Sequence, residues 1–320
     1  MLAVPILLLL VARAPSSAAD PPAQTARPAP QKNLSLRELA ARPIDVRPGR
    51  TFIGADSASH TVFFYENRRA TVFRVNADSG DTLELTLEDA PGFSSNSVSP
   101  ARGALLDGHG ETLIPARWRG HAGIFVFSNS GRYLNTILLN PPVEIENMAR
   151  GSDGSLYILG VDPSSRLLVH KYAGDGRRTT AFSSGGPAEA QQGLLWTDGG
   201  LIYQISPASR RLRVFDASGK TLRDVAIECP PDAPASIQTA VPAAGGRFVV
   251  EWAAAGTSVA QRYLSLHDES GRAISAATPE SGRSAVIFSD SAGILYSLRY
   301  TPAGRQEIVR TRFTQTAPGR

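Results

Sequence analysis

The sequence predicts an all-β fold, a six-bladed β-propeller of four-stranded antiparallel blades. Three observations lead there. From about Arg47 onward, short runs rich in β-branched and aromatic residues alternate with Gly, Asp and Ser turns, and no stretch keeps a 3.6-residue period. Gly110, Gly154, Gly200, Gly246 and Gly293 recur at intervals of 44 to 47 residues, each between two apolar runs, with Ser59 in that place in the first copy. A second glycine follows roughly 20 residues later in five copies, as Gly80, Gly131, Gly176, Gly219 and Gly271, in turns such as NADSGD and DASGK.

Each unit therefore reads as an inner strand, a Gly turn, a second strand, a longer loop, a third strand, another Gly turn and an outer strand. One such sheet cannot bury both faces alone and must stack on neighbours, which is the logic of a propeller blade. Solenoids of similar period are usually helical, and an up-and-down barrel has no four-strand super-period. Six copies fit between about residue 45 and the end of the 320-residue chain, but the sixth runs short. Its third strand is expected to end near Phe313. Residues Leu34 to Val46 (LSLRELAARPIDV) hold enough apolar positions to supply the missing outer strand, closing the ring and removing an exposed edge.

Ahead of the repeats, Met1 to Ala12 form an apolar run too short to cross a bilayer as a helix. Small residues follow, with Ser17 and Ala19 at the −3 and −1 places of a cleavage before Asp20. Residues 1–19 thus read as a signal peptide, 20–32 as an extended Pro/Ala-rich linker and 33–320 as the propeller. The expected location is periplasmic or extracellular, with retention of the segment as an anchor the alternative. Cys229 is the only cysteine, so no intramolecular disulfide can form, and it reads as a small apolar residue at a blade edge. Net charge is +4, or +3 once Arg13 leaves with the first 19 residues, a balance that permits an acidic partner without demanding one.

The segment SRRLRVFDASGKTL, residues 209 to 222, resembles the third strand, turn and fourth strand of NHL-type propeller repeats. Arg211, Val214, Phe215, Asp216 and Gly219 carry the match, with looser ones at Arg166 and at Phe125 to Gly131. The fifth and sixth copies depart from the pattern. The resemblance implies fold only, because such propellers include protein binders, RNA binders and a few enzymes.

In a propeller the loops leading into each inner strand and the loops between second and third strands share one face, here called the loop face. The Gly turns lie on the other, the turn face, and read as structural. Arg is frequent in the loops between second and third strands, at Arg68, Arg69, Arg117, Arg119, Arg166, Arg210, Arg211, Arg299 and Arg305. Its rigid fork of donors suits carboxylates, phosphates and sulfates, although some must pair with local carboxylates such as Glu66 and Asp162. In ARWRGHAG, Trp118 sits among Arg117, Arg119 and His121, and Trp and Arg are residue types enriched at binding hot spots; the competing role for Trp118 is closing a hydrophobic edge. Trp196 and Trp252 lie in strand runs and are expected in the core.

Metal chemistry has weaker support. The five histidines His60, His109, His121, His170 and His267 form no HxxxH, HExxH or Cys-His cluster, and His60 and His109 read as solvated turn residues. Glu144, Glu146 and Asn147 in PPVEIENMAR are the best hard-ligand candidates, with Glu189, Glu228 and Asp232 as further oxygen donors. Gluconolactonase-type six-bladed propellers hold a metal near the channel with such groups, so calcium or another divalent metal is the alternative to having no cofactor. No GxSxG elbow, P-loop or Rossmann pattern occurs. Two functions follow: an exported, non-catalytic, monomeric module that holds a protein or anionic polymer, or a metal-dependent hydrolase or lyase of the lactonase type. RNA binding and a membrane span beyond the signal segment are not expected.

Overall fold

A strand buried on both sides shows a continuous apolar run rather than alternation, and TVFFY at 61–65 is such a run. In the computed structural model, which describes residues 34–39, 44–90, 98–118, 121–183, 193–230, 236–253, 262–277, 283–303 and 305–315, all five of those residues are buried. Val62 and Phe64 pack toward one neighbouring sheet, Phe63 and Tyr65 toward the other. Each of the six sheets meets two neighbours in this way, and the ring that results is the six-bladed propeller expected from the repeats.

Blade 1 comprises Thr51–Asp56, Thr61–Glu66, Thr71–Asn76 and Thr82–Thr86. Blade 2 has an inner strand broken into Val98–Pro100 and Leu105–Leu106, then Thr112–Trp118, His121–Phe127 and Tyr133–Leu138. Blade 3 is Glu144–Arg150, Leu156–Val161, Leu167–Tyr172 and Arg178–Ser183, and blade 4 is Leu194–Asp198, Leu201–Ser206, Arg211–Phe215 and Thr221–Ala226. Blade 5 is Ser236–Ala243, Arg247–Ala253, Arg262–His267 and Ala273–Ala277. Blade 6 takes Arg283–Ser289, Ile294–Tyr300 and Gln306–Gln315 from the C-terminal end of the chain. Its outer edge is Leu34–Glu38 and Ile44–Val46, both antiparallel to Gln306–Gln315, so the N-terminal segment completes the ring. Among the described residues the only helical pieces are two single turns, Asn67–Arg69 and Leu87–Asp89.

The core is six clusters, one per blade interface. The cluster between blades 6 and 1, for example, joins Val62, Phe64 and Phe73 to Ile287, Phe288 and Tyr296. Each buried large side chain contributes about 2 kcal/mol by leaving water, and in a ring those contributions are available only if every interface forms. The ten glycines of the repeated turns all have positive φ, 70 to 89°, where a side chain would be strained. In blade 1 the left-handed residue is His60 at φ 51°, not Ser59, because four residues separate the last strand pair, Asp56 and Thr61, where three separate Asp107 and Glu111 in blade 2.

The signal and linker segments, Arg119, Glu189 and Asp232 fall outside the described residues, as does the side chain of Trp118. Its backbone pairs with His121 and Val98 at the loop-face end of blade 2.

Candidate functional site

The inner strands enclose a channel of about 870 Å³, bordered by Phe52, Arg102, Asn147, Trp196, Thr239 and Ile287 among others. Inner strands of neighbouring blades approach closely here. The Gly103 N–H donates to the Ile53 carbonyl at 2.7 Å, and a Cβ on Gly54 would lie 2.2 Å from the Ala104 carbonyl oxygen, so that position requires glycine. Four inner strands carry a register shift at equivalent places, between Phe52 and Gly54, Ile145 and Asn147, Ile237 and Thr239, and Val286 and Phe288. The last is held by Glu251, which is fully buried in blade 5, accepts the Val286 N–H at 3.0 Å and pairs with Arg262. Burial pushes the Glu251 carboxyl up, against the pull of Arg262.

On the loop face the candidate cations divide into two groups. Arg117 reaches Glu144 at 2.5 Å, Arg69 reaches Glu84 at 2.8 Å and Arg166 reaches Asp162 at 2.8 Å. Arg211 is bound by Asp224 and Arg299 by Glu38 and Glu307. Glu66 is taken by Arg50, whose guanidinium lies 3.3 Å over the Phe73 ring. Arg68, Arg210 and Arg305, from blades 1, 4 and 6, are exposed and make no ion pair among the described residues; His121 is exposed as well.

The hard-ligand candidates sit at the loop-face end of the blade 3 inner strand. Arg117 occupies Glu144, Asn147 is buried beside the channel, and Glu146 is the extra residue of the register shift. Burial, then the charge of Glu144, raises the Glu146 carboxyl above its usual range, opposed by Arg117 and Arg102. Glu228 instead accepts the Ala273 N–H, tying blade 4 to blade 5. Among the described residues no group of three or more His, Cys, Asp or Glu could hold a metal ion.

On the turn face most carboxylates serve the turns. Asp107 accepts the N–H groups of His109 and Glu111, Asp290 that of Ile294, Asp216 those of Ser218 and Lys220, and Asp268 those of Ser270 and Arg272. His60 is not a solvated turn residue as expected from sequence. It bridges two blades, with Nδ1 2.5 Å from Asp78 and Nε2 3.7 Å from Asp290, while Tyr296 and Arg310 also hold Asp78. His109 is exposed.

Two further histidines are in the core, for which the sequence offered no pattern. In blade 5 the Trp252 indole N–H donates to Ser265 at 2.6 Å, Ser265 to His267 Nε2 at 2.6 Å, and His267 Nδ1 to the Gly271 carbonyl at 3.1 Å. This chain satisfies Trp252, which is in the core as expected. His170 in blade 3 hydrogen-bonds the Gly160 carbonyl through Nε2 and lies against Tyr172, while its Nδ1 has no hydrogen-bond partner among the described residues. Burial brings both imidazoles down to about 4, so both are neutral at ordinary pH.

Trp196 differs from the expectation of a core residue. It is half-buried, borders the channel near the turn face and stacks on Tyr203 with ring centroids 5.3 Å apart and planes 2° from parallel. The sequence LLWTDGG carried a usable signal: the turn that ends the strand is Gly199 and Gly200, which bring no side chain to cover that end.

The fold and its channel define a six-bladed β-propeller. No protein-family model matches the sequence, and no curated protein matches it. Solved structures do resemble it in fold. A member of the DUF4221 family from Bacteroides vulgatus superposes with a TM-score of 0.57 at 8% identity, covering 89% of this chain and 100% of the other. The PQQ-bound aldose sugar dehydrogenase of Streptomyces coelicolor gives 0.56 at 13% identity, over 89% and 100% of the chains. A catalytically inactive virginiamycin B lyase from Staphylococcus aureus, with quinupristin, gives 0.52 at 14% identity, over 88% and 95%. At such identities the likeness is one of fold, shared by enzymes and by proteins of unknown function.

Proposed function

We propose that the protein is an exported, non-catalytic binding module that holds a protein or an anionic polymer on its loop face. Export rests on the apolar run Met1 to Ala12 and the small residues after it. The observation that carries the binding role is the set Arg68, Arg210 and Arg305, three exposed guanidinium groups on the same kind of loop in three blades, without carboxylate partners among the described residues. Ring geometry puts them on one face, where separate loops act as one cationic surface. Arg117 and His121 border that surface in blade 2, and Arg117 extends it once a ligand carboxylate or sulfate replaces Glu144.

Immobilised poly-glutamate is the direct probe. The chain is expected to be captured at low salt and released as ionic strength rises, since exposed charges are screened over about 8 Å at physiological salt. Replacing Arg68, Arg210 and Arg305 by Ala should weaken capture about tenfold or more without changing the melting temperature. Unchanged capture by the triple variant overturns the reading. The lactonase-type alternative has calcium or another divalent ion on Glu144, Glu146 and Asn147. It requires displacement of Arg117 from Glu144, and calorimetric titration with calcium that shows a stoichiometric site lost in Glu146→Gln would establish it.

A further inference from the structure

We infer that the turn-face end of the cleft between blades 4 and 5 is a saccharide-binding site, with Trp196 as the stacking surface and Asp198, Arg223 and Glu269 as the groups that bind hydroxyls. It lies on the face opposite the proposed polymer surface and stands independently of that reading.

Trp196, Tyr203, Val214 and Arg223 are direct partners across the four strands of blade 4. In an antiparallel sheet, residues directly opposite one another point to the same side; here the side is that of blade 5, since Trp196, Tyr203 and Val214 pack with Phe248 and Trp252. Tyr203 backs one face of the Trp196 ring, and the half-buried Trp196, unlike Tyr203, borders the channel. At the far end of the row Arg223 meets Glu269 of blade 5 at 2.6 Å, both partly exposed.

The regular turn chemistry fails only around this cleft. In the inner turns of blades 1, 2, 3 and 6, Asp56, Asp107, Asp153 and Asp290 accept hydrogen bonds from their own turns. Asp198 is exposed and no such bond engages it among the described residues, because Gly199 and Gly200 make a two-residue turn with positive φ at both positions. Blade 5 has no Asp in its inner turn, only Ala244, Gly245 and Gly246. A Cβ on Gly199, Gly200 or Gly245 would meet nothing within 4 Å, and one on Gly246 would meet only the Glu269 carboxylate at 3.8 Å. The result is two glycine turns at the end of this row, with the half-buried Trp196 and the exposed Asp198 at its inner end and the Arg223–Glu269 pair at its outer end.

That combination selects the ligand. A flat, weakly polar ring face stacks on an indole, and carboxylate and guanidinium groups together accept from and donate to neighbouring hydroxyls. An anionic ligand would meet Asp198 and Glu269, and a purely apolar one would strand all three charged groups. A neutral sugar ring satisfies both the surface and its rim.

Calorimetric titration of the full chain with cellohexaose, maltohexaose and chitohexaose tests the inference. At least one should bind, with Trp196→Ala weakening it about tenfold or more, Asp198→Asn and Glu269→Gln severalfold each, and Trp196→Phe retaining part of the affinity. Asp198→Asn should leave the melting temperature unchanged, so it decides the matter even if Trp196→Ala does not fold. The Arg68, Arg210 and Arg305 triple variant should bind the same oligosaccharide as the parent chain does. Absence of binding by all three sugars at millimolar concentration, or binding indifferent to Asp198→Asn and Glu269→Gln, overturns the inference.

Discussion

The two faces of this propeller use their charged residues differently. On the turn face, Asp107, Asp216, Asp268 and Asp290 point back into their own turns and accept backbone N–H groups. On the loop face, charges meet mainly other side chains, as in Arg117 with Glu144 and Arg69 with Glu84, each partner close to half exposed. A carboxylate holding backbone donors is part of the fold, whereas an exposed ion pair contributes little and exchanges its partner readily. The difference shows where binding can evolve without unfolding: on the loop face generally, and on the turn face only where the turn chemistry lapses, beside Asp198.

The largest expected effect concerns the frame that carries both faces. Deleting residues 33–46 removes the outer edge of blade 6, including the buried Leu36 and Val46. The loss should exceed about 5 kcal/mol and lower the melting temperature by about 10 °C or more; an unchanged melting temperature and protease resistance would show that the ring does not depend on this closure.

Next in size is an acid effect that belongs to neither face. His170 and His267 are held neutral, at about 4 against an ordinary 6.5, so the unfolded chain takes up protons first as pH falls. Their contribution to stability is full above pH 6.5 and is lost progressively toward pH 4. Each should cost about 2 kcal/mol near pH 5. Thermal midpoints that stay flat from pH 7 to about 5 would contradict the burial of these rings.

A smaller effect sharpens the contrast within the turn face itself. Asp107→Ala strands two N–H groups and should cost about 2 kcal/mol, while Asp198→Ala should cost less than about 0.5 kcal/mol. Equal losses in chemical denaturation would remove the distinction on which the Trp196 cleft rests. Smallest of all, a double-mutant cycle on Arg117 and Glu144 should give less than about 1 kcal/mol of coupling.

Much of the fold was legible because its causes are local and repeated. Five blades need left-handed residues at two turns and the sixth at one, so glycines mark the period, and the missing outer strand of the sixth copy could be traced to Leu34–Val46. The site was less legible because it is made by neighbours distant in sequence. Nothing in ARWRGHAG or PPVEIENMAR announces that Arg117 will occupy Glu144, since that pairing needs blades 2 and 3 side by side. Trp196 looked like core because every residue of an inner-strand run does, yet it is half-buried and borders the channel that only the closed ring creates. Likewise His60 acquires its carboxylates from the third turn-to-strand connection of its own blade and from blade 6.

The division between the faces is tested most directly by measuring melting temperature and poly-glutamate capture together, for Asp107→Ala and for the Arg68, Arg210 and Arg305 to Ala triple variant. The account predicts that the first loses stability and captures the polymer as before, while the second keeps its melting temperature and loses capture about tenfold. A triple variant that is destabilised yet binds normally would contradict it.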